Sequence, residues 1–220
     1  MKRFSLRYSM LTYKLDQLWF PLSFWAMFVI IAFLQEQPDQ LMNTTRAYLG
    51  AAVPLMGGIM AAYAVLDDPA LELRFSTPIP AWWTLLERLG LTFLIQAVTA
   101  LSFQGVTVLM GGDFSMFVSG WHVQLAWILP TLALMALGCF GALATAQTTI
   151  GALFVGLVWM VELIARSWLA ENSGKYVLVF MGALMPDHPD LFANHLSVFS
   201  ISLIFIFAAW VLLRRQERYI

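Results

Sequence analysis

Residues 114–161 read FSMFVSGWHVQLAWILPTLALMALGCFGALATAQTTIGALFVGLVWMV and contain no Asp, Glu, Lys or Arg. At about 1.5 Å of rise per residue, one helix of this length would be about twice as long as a hydrocarbon core of about 30 Å is thick. The stretch must therefore fold back once, and the polar cluster TAQTT at 145–149 predicts the turn. Two spanning helices follow, near 123–144 and 150–168.

The composition of the whole chain is that of a membrane protein. Of its 220 residues, 60% are hydrophobic and 11% are charged, whereas soluble domains have about 45–50% and about 25%. A water-soluble globule could not bury so much apolar surface. The net charge of −1 offers no basic surface to nucleic acid, and the single cysteine excludes a disulfide framework and a cysteine metal cluster. We predict an integral membrane protein without nucleic-acid partner or metal site.

Further uncharged stretches predict the remaining spans. They lie near 18–34, 47–66, 89–112 and 196–213, so six spans are expected in total. The apolar run 176–185 is too short to cross as a helix and is followed by Pro186 and Pro189. It predicts a short external re-entrant segment, with an ordinary external loop as the alternative. The expected fold class is an all-α integral membrane protein with six transmembrane helices.

The first 18 residues have the pattern of an amphipathic helix. Apolar side chains recur at helical spacing, at positions 4, 8, 11, 15 and 18, and basic residues lie beside that stripe. This pattern predicts a helix in the membrane interface, with packing on a protein neighbour as the alternative. Two regions follow, an interface helix over 1–18 and a six-span transmembrane domain over 19–220. The QEQPDQ that follows Leu34 contains no signal-peptide cleavage site, so the first span is expected to be retained.

The distribution of basic residues predicts the orientation. Nine Lys and Arg residues fall on the side of the two termini and of the loop after the second span, and three fall on the opposite side. Because cytoplasmic loops carry the excess of Lys and Arg, both termini are expected in the cytoplasm of a multi-pass protein of the cell membrane.

The loop between the second and third spans carries the strongest motif. Residues 67–88 read DDPALELRFSTPIPAWWTLLER. Asp68 is a suitable N-cap, and Pro69 suits the first helical position. A short cytoplasmic helix is therefore expected near 69–75, ended by Pro78. Its acidic start and its apolar side chains would offer a partner both charge and an apolar contact.

This loop resembles that of the permeases of type-2 ABC exporters. The resemblance rests on Glu72, the Leu-Arg-Phe run at 73–75, the Ser-Thr-Pro at 76–78, and an apolar helix with the acidic-basic pair Glu87 and Arg88. In that family the loop is the coupling helix, which sits in a cleft of the ATPase subunit. The family also has an interface helix, six spans, cytoplasmic termini and short external re-entrant helices between the fifth and sixth spans. This chain departs from many members by lacking a large external domain.

The resemblance implies a set of contacts and partners. The residues that would contact the ATPase are Asp68, Leu71, Glu72, Arg74 and Phe75. The sequence contains no G-x-x-x-x-G-K-[ST] motif, so ATP and Mg would be bound by a separate ABC ATPase subunit and this chain would be neither an enzyme nor a cofactor carrier. A second permease copy or a related permease would complete the pathway, in contact with membrane lipid.

Two ionisable residues lie within the fifth predicted span. Glu162 and Arg166 are four residues apart, so they share a helix face and can form an intramembrane charge pair. The pair is expected near the outer interface. An intramembrane protease is the sharper alternative, but Val161 precedes Glu162 where such an enzyme needs a second carboxylate. The histidines, at 122, 188 and 195, are expected to be solvated loop residues rather than metal or haem ligands.

The second predicted span is rich in small residues. Pro54, Gly57 and Gly58 suggest either tight helix packing or a flexible span that lines a pathway. Met and aromatic side chains of the spans would make such a pathway apolar. We therefore expect an exporter permease that moves a hydrophobic or amphipathic substrate. The alternatives are a substrate-capture subunit of an importer, which would not need the 69–75 helix, and an integral membrane enzyme, which would need Glu162.

Overall fold

The computed structural model describes residues 16–67, 80–114 and 120–214, and secondary structure within these ranges is helical without a strand. The elements are α1 (Asp16–Phe33), α2 (Pro38–Ala47), a π-helical turn (Tyr48–Ala52), α3 (Val53–Ala64), α4 (Ala81–Leu109), α5 (Gly120–Thr145), α6 (Thr148–Glu171), a 3-10 turn (Ser173–Tyr176), α7 (Met181–Leu184) and α8 (Leu191–Leu213).

Within the described residues, five helices are long and apolar enough to cross a membrane. They are Pro38–Ala64, Trp82–Leu109, Gly120–Thr145, Thr148–Glu171 and Leu191–Leu213. The chain is therefore an all-helical, membrane-embedded protein, as the composition predicts. The first predicted span corresponds to a shorter apolar helix, Leu18–Phe33. Most of the predicted interface helix, residues 1–15, lies outside the described residues.

The long helices differ in how much of their surface is covered by the rest of the chain. The α2–α3 helix and α5 form the centre, with 72% and 67% of their spanning windows buried. Helices α6 and α8 pack against α5 but leave most of their surface open, with 17% and 22% buried. Because their exposed side chains are apolar, these outer faces suit contact with lipid.

Two long helices begin well before the stretches without charge that predict them. The second span starts at Pro38 rather than near residue 47, because α2 accommodates Asp39 in its first turn and Arg46 in its last. Helix α4 starts directly after Pro80, eight residues before the predicted 89–112, and therefore contains Glu87 and Arg88. Helical hydrogen bonding continues past a charged residue, whereas a proline stops it on the N-terminal side.

Two backbone sites with positive φ shape the turns between long helices. Ala146, with φ 55°, lies between α5 and α6, in the cluster at 145–149 that predicts this turn. Gly111, with φ 84°, follows the end of α4, and the next N–H, of Gly112, donates to the carbonyl of Thr107 at 2.8 Å. Glycine adopts this left-handed conformation without steric cost, and it closes the last turn of α4.

The connection between α6 and α8 folds back into the end of the bundle. After the 3-10 turn, residues 177–184, here called the inserted segment, run between the long helices and include the short helix α7. Leu178, Phe180 and Met181 are completely buried there, although they lie outside any long helix. This segment coincides with most of the short apolar run that predicts an external re-entrant segment.

Candidate functional site at the end of the bundle

Glu162 is the buried carboxylate of the site. It lies on α6, whose buried residues are only Gly151, Val155 and Glu162, and the glutamate is 8% exposed. These three positions share the narrow face that α6 turns toward the bundle. Burying a carboxylate in apolar surroundings is costly unless its oxygens accept hydrogen bonds, so its partners matter for the role of the residue.

The partner of Glu162 is a backbone amide of the inserted segment. The N–H of Val179 donates to Oε2 of Glu162 at 2.8 Å. A buried non-helical segment leaves some of its own N–H groups without helical partners. Glu162 supplies an acceptor to one of them, so a side chain of α6 helps to hold the inserted segment against the bundle.

Arg166 does not join this arrangement. Its side chain is exposed on α6, and no ion pair connects it to Glu162 among the residues that the structure describes. The two residues share a helix, as their spacing requires, but Glu162 is turned toward the amide of Val179. A long basic side chain near a helix end can extend to the interface, which fits the exposure of Arg166.

Helix α8 holds the same connection from the other side. Asn194, which is buried, donates through Nδ2 to the carbonyl oxygens of Lys175 at 2.7 Å and Leu178 at 2.9 Å. The ammonium of Lys175 donates to Asp190, which lowers the pKa of that carboxyl, and the same contact raises the pKa of Lys175. The connection is thus held at its 3-10 turn and at the start of the inserted segment.

The π-helical turn of the second long helix meets the inserted segment. The N–H of Val53 donates to the carbonyl of Tyr48, five residues earlier, and Pro54 has no N–H to donate. The carbonyl of Ala51 accepts a hydrogen bond from Nε1 of Trp159 on α6 at 3.0 Å. Trp159 lies three residues before Glu162, so neighbouring positions of α6 hold the π-helical turn and the inserted segment.

Glycines allow the inserted segment to approach the long helices closely. A Cβ added at Gly50, in the π-helical turn, would collide with the side chain of Ala183. A Cβ added at Gly182 would lie 2.9 Å from Nε2 of His195 and 3.3 Å from the Cα of Ala126. Both contacts require the absence of a side chain, and they fix the position of α7 against three long helices.

The small residues singled out in the second span pack within the chain. Pro54, Gly57 and Gly58 are all buried in α3. A Cβ at Gly57 would lie 2.9 Å from Cγ2 of Thr131, and one at Gly58 would lie 2.6 Å from Cγ1 of Val155. These glycines therefore let α3 approach α5 and α6, and this geometry favours the packing interpretation over a pathway-lining one.

A buried polar row on α4 is the feature that the sequence reasoning missed. The row comprises Thr84, Arg88, Thr92, Gln96, Thr99 and Thr107, all at most 5% exposed. Most of these positions are three or four residues apart, and this spacing could have revealed them. Several hydroxyls bond to carbonyls of their own helix, such as Thr92 to Arg88 at 3.0 Å. Gln96 reaches across to the sulfur of Met60 at 3.1 Å.

The predicted ATPase-contacting residues lie outside the described residues. These are Asp68, Leu71, Glu72, Arg74 and Phe75, in the gap between α3 and α4. Within the described ranges, no three His, Cys, Asp or Glu side chains group as metal ligands. Of the histidines, His188 accepts a hydrogen bond at Nδ1 from the N–H of Asp190 at 3.1 Å.

Neither a protein-family model nor a curated protein nor a solved structure matches this chain. The site is therefore defined by its own geometry. Glu162 and Trp159 of α6 bond to two irregular backbone segments, and these two segments touch each other at Gly50 and Ala183. These contacts fix the position of two irregular backbone segments at the end of the helical bundle. The side chains of the site therefore serve to position backbone.

Proposed function

We propose that the chain is the permease subunit of an ATP-driven exporter of the type-2 ABC class, moving a hydrophobic or amphipathic substrate across the cytoplasmic membrane. The observation that carries the proposal is the connection between the last two long helices, where a 3-10 turn and a short helix pack into the end of the bundle. Exporters of this class have short re-entrant helices at the same place in the chain, and the motif over 67–88 supports the same class.

The proposal includes an orientation and a sixth span. Helix α1, counted from Leu18, has 16 residues and a length of about 24 Å, so it would cross a bilayer of about 30 Å with its polar flanks near the interfaces. With α1 as a span, both termini and the 67–80 loop lie in the cytoplasm. The connection between α6 and α8 then lies at the outer surface, in agreement with the distribution of Lys and Arg.

The location of the loop suggests how an ATPase would drive the bundle. The loop joins α3 to α4, and α3 carries the glycines that contact α5 and α6. Helix α4 begins directly after Pro80 and carries the buried polar row. A rigid displacement of a coupling helix would therefore be passed to the packed centre of the permease by its two flanking helices.

The test is ATP hydrolysis by the complex purified from native membranes. A tagged chain is expected to co-purify with an ATPase subunit, and Glu72→Lys with Arg74→Glu should lower ATP hydrolysis by about tenfold or more, since like charges facing a partner cost several kcal/mol. Glu36→Lys is the matched control, because Glu36 is exposed at the opposite end of the bundle, and it should leave hydrolysis unchanged.

Three results would count against the proposal. If the double charge reversal leaves ATP hydrolysis unchanged, residues 69–75 are not the coupling helix. If the folded, membrane-inserted chain co-purifies with other proteins but with no ATPase, it is not a permease of an ABC exporter. If partner binding survives deletion of residues 69–75, the importer alternative is favoured.

A further inference from the structure

Two of the three histidines lie together at the bundle end that carries the inserted segment. His122 is the third residue of α5, and His195 is the fifth residue of α8. Both side chains are half-buried, and the two rings are close enough to interact electrostatically. Neither residue is therefore the solvated loop histidine that the sequence suggests.

The backbone on both sides of this pair is held in place. Asn194, the residue before His195, donates to two carbonyl oxygens of the connection at 2.7 and 2.9 Å. On α5, Ala126 lies one helical turn after His122 and on the same face. A Cβ added at Gly182 would lie 3.3 Å from Cα of Ala126 and 2.9 Å from Nε2 of His195. The same glycine thus meets the His195 ring and the face of α5 that carries His122.

The imidazole of His195 is available to a ligand. Asp190, the nearest acid along the chain, accepts a hydrogen bond from the ammonium of Lys175. In the part of the chain that the structure describes, the ring of His195 makes no hydrogen bond of its own. A neutral imidazole without such a bond has a ring nitrogen that can bind a metal ion.

The ligand type selects the metal. Imidazole nitrogen suits zinc, copper and nickel, whereas magnesium and calcium prefer oxygen ligands. Zinc has no preferred geometry of its own and accepts water in positions that the protein leaves open. No group of three or more His, Cys, Asp or Glu side chains forms within the described ranges, so a metal on this pair keeps positions open to water.

We propose that His122 and His195 form a zinc site that links the start of α5 to the start of α8. The two imidazoles supply nitrogen ligands from two long helices, and water completes the coordination. In the orientation given by the proposed function, the site lies near the outer surface. The site itself does not depend on that function, because both ligands belong to the packed bundle.

The test is zinc binding by the full chain, purified in detergent through a tag that contains no histidine. Calorimetric titration should give one zinc ion per chain, and zinc should raise the midpoint of thermal unfolding because it binds the folded state. His122→Gln and His195→Gln should each weaken zinc binding by about tenfold or more. Loss of a residue that only supports a metal ligand already costs about 10- to 100-fold.

The third histidine provides the matched control. His188 accepts a hydrogen bond at Nδ1 from the N–H of Asp190 at 3.1 Å, and it is not a member of the pair. His188→Gln should therefore leave the zinc affinity unchanged. Magnesium is the control ion, and it should not raise the unfolding midpoint, because it prefers carboxylate and water oxygens.

Three results would overturn the proposal. The first is a wild-type chain whose unfolding midpoint does not respond to zinc, or responds equally to magnesium. The second is an unchanged zinc affinity in both His122→Gln and His195→Gln. The third is an equal loss of affinity in His188→Gln. The stoichiometry and the comparison with magnesium use the wild-type chain, so they test the proposal even where a variant does not fold.

Discussion

Gly58 shows how much of the packing depends on single residues. A Cβ at this position would lie 2.6 Å from Cγ1 of Val155, 2.9 Å from Cβ of Leu134 and 3.0 Å from the carbonyl oxygen of Leu134. The last neighbour is backbone and cannot rotate away. On the facing helix, a Cβ added at Gly138 would collide with the carbonyl of Gly58, so the two glycines define the closest approach of α3 and α5.

The first prediction concerns this contact. Gly58→Ala should destabilise the protein by about 1–3 kcal/mol, because the added methyl group forces α3 away from α5 and α6. Gly156→Ala is the matched control on α6, where an added Cβ meets nothing within 4 Å. There the higher helix propensity of alanine should leave stability unchanged or raise it by up to about 1 kcal/mol. Thermal unfolding in detergent, followed by tryptophan fluorescence, measures both; equal effects would contradict the packing argument.

The second prediction concerns the ion pair of Lys175 and Asp190. The pKa of Asp190 is lowered from 3.8, so its contribution to stability is present above that value and is lost as the pH falls through the folded pKa. The pKa of Lys175 is raised from 10.5, so its contribution is present below that value and is lost as the pH rises through the folded pKa. Asp190→Asn should therefore cause a small loss of stability at neutral pH and none in acid.

Thermal unfolding of Asp190→Asn at neutral pH and at a pH below the folded pKa of Asp190, which itself lies below 3.8, measures this difference. The contribution is expected to be small because both side chains are partly exposed. Asp187→Asn is the control, since Asp187 is exposed in the same connection. A loss of stability that is the same in acid as at neutral pH would show that the pair contributes nothing through charge.

At the scale of the elements, two helices are tied by a buried pair of hydroxyls. The hydroxyl oxygens of Thr45 of α2 and Thr107 of α4 lie 3.0 Å apart, and each is also within hydrogen-bonding distance of a carbonyl of its own helix, Leu41 and Phe103 respectively. Because each hydroxyl has one proton, the threonine that donates to the other one gives up the bond to its own carbonyl. The pair therefore exchanges one bond within a helix for one bond between helices, and either hydroxyl can still donate to its own helix when the other is removed. This bond lies at the end of α4 that is near Gly112.

The third prediction follows from this arrangement. Thr107→Val should destabilise by about 0.5–1.5 kcal/mol, the usual net value of one hydrogen bond. The double variant with Thr45→Val should cost less than the sum of the two single variants, because both remove the same bond. Ser102→Ala is the control on α4, since the Ser102 hydroxyl bonds only within its own helix, to the carbonyl of Thr99 at 2.9 Å. Strict additivity would argue against a shared bond.

The elements also show what a sequence can and cannot specify. The absence of charge over 114–161 predicts two helices and their turn, because a fixed hydrocarbon thickness leaves no alternative. The same criterion predicts too late a start for the two helices that begin at Pro38 and Ala81, since helices continue past charged residues at the interface. Glu162 can be singled out from the sequence because an ionisable side chain within a span is energetically costly. Its hydrogen-bond partner cannot be predicted in this way. The carboxyl oxygen of Glu162 meets the amide of Val179 only after the chain has folded back, and such a contact leaves no periodic pattern in the sequence.

At the scale of the whole molecule, the number of crossings determines where the ends lie. In the part of the chain that the structure describes, five helices meet the length and composition of a span, and α1 is shorter. If α1 crosses as well, as the proposed function requires, both termini lie on one side. If it does not, they lie on opposite sides.

The fourth prediction is that both termini are cytoplasmic. Protease sites appended to the N-terminus and to the C-terminus should both resist protease added outside intact cells and both be cut in inside-out vesicles. A site inserted after Glu36, between α1 and α2, is the control and should show the opposite pattern. Cleavage of one terminus only from the outside would show that α1 does not cross.

Helix α4 has one more consequence, which concerns the lipids around the protein. Its 29 residues extend over about 43 Å, well beyond an average hydrocarbon thickness of about 30 Å. The excess is accommodated by tilt or by emergence of the first turns, and the share of each depends on the acyl chain length of the bilayer. Reconstitution in short-chain and long-chain lipids should therefore change the angle at which α4 leaves the membrane. The orientation of α4 then depends on the thickness of the bilayer around the protein.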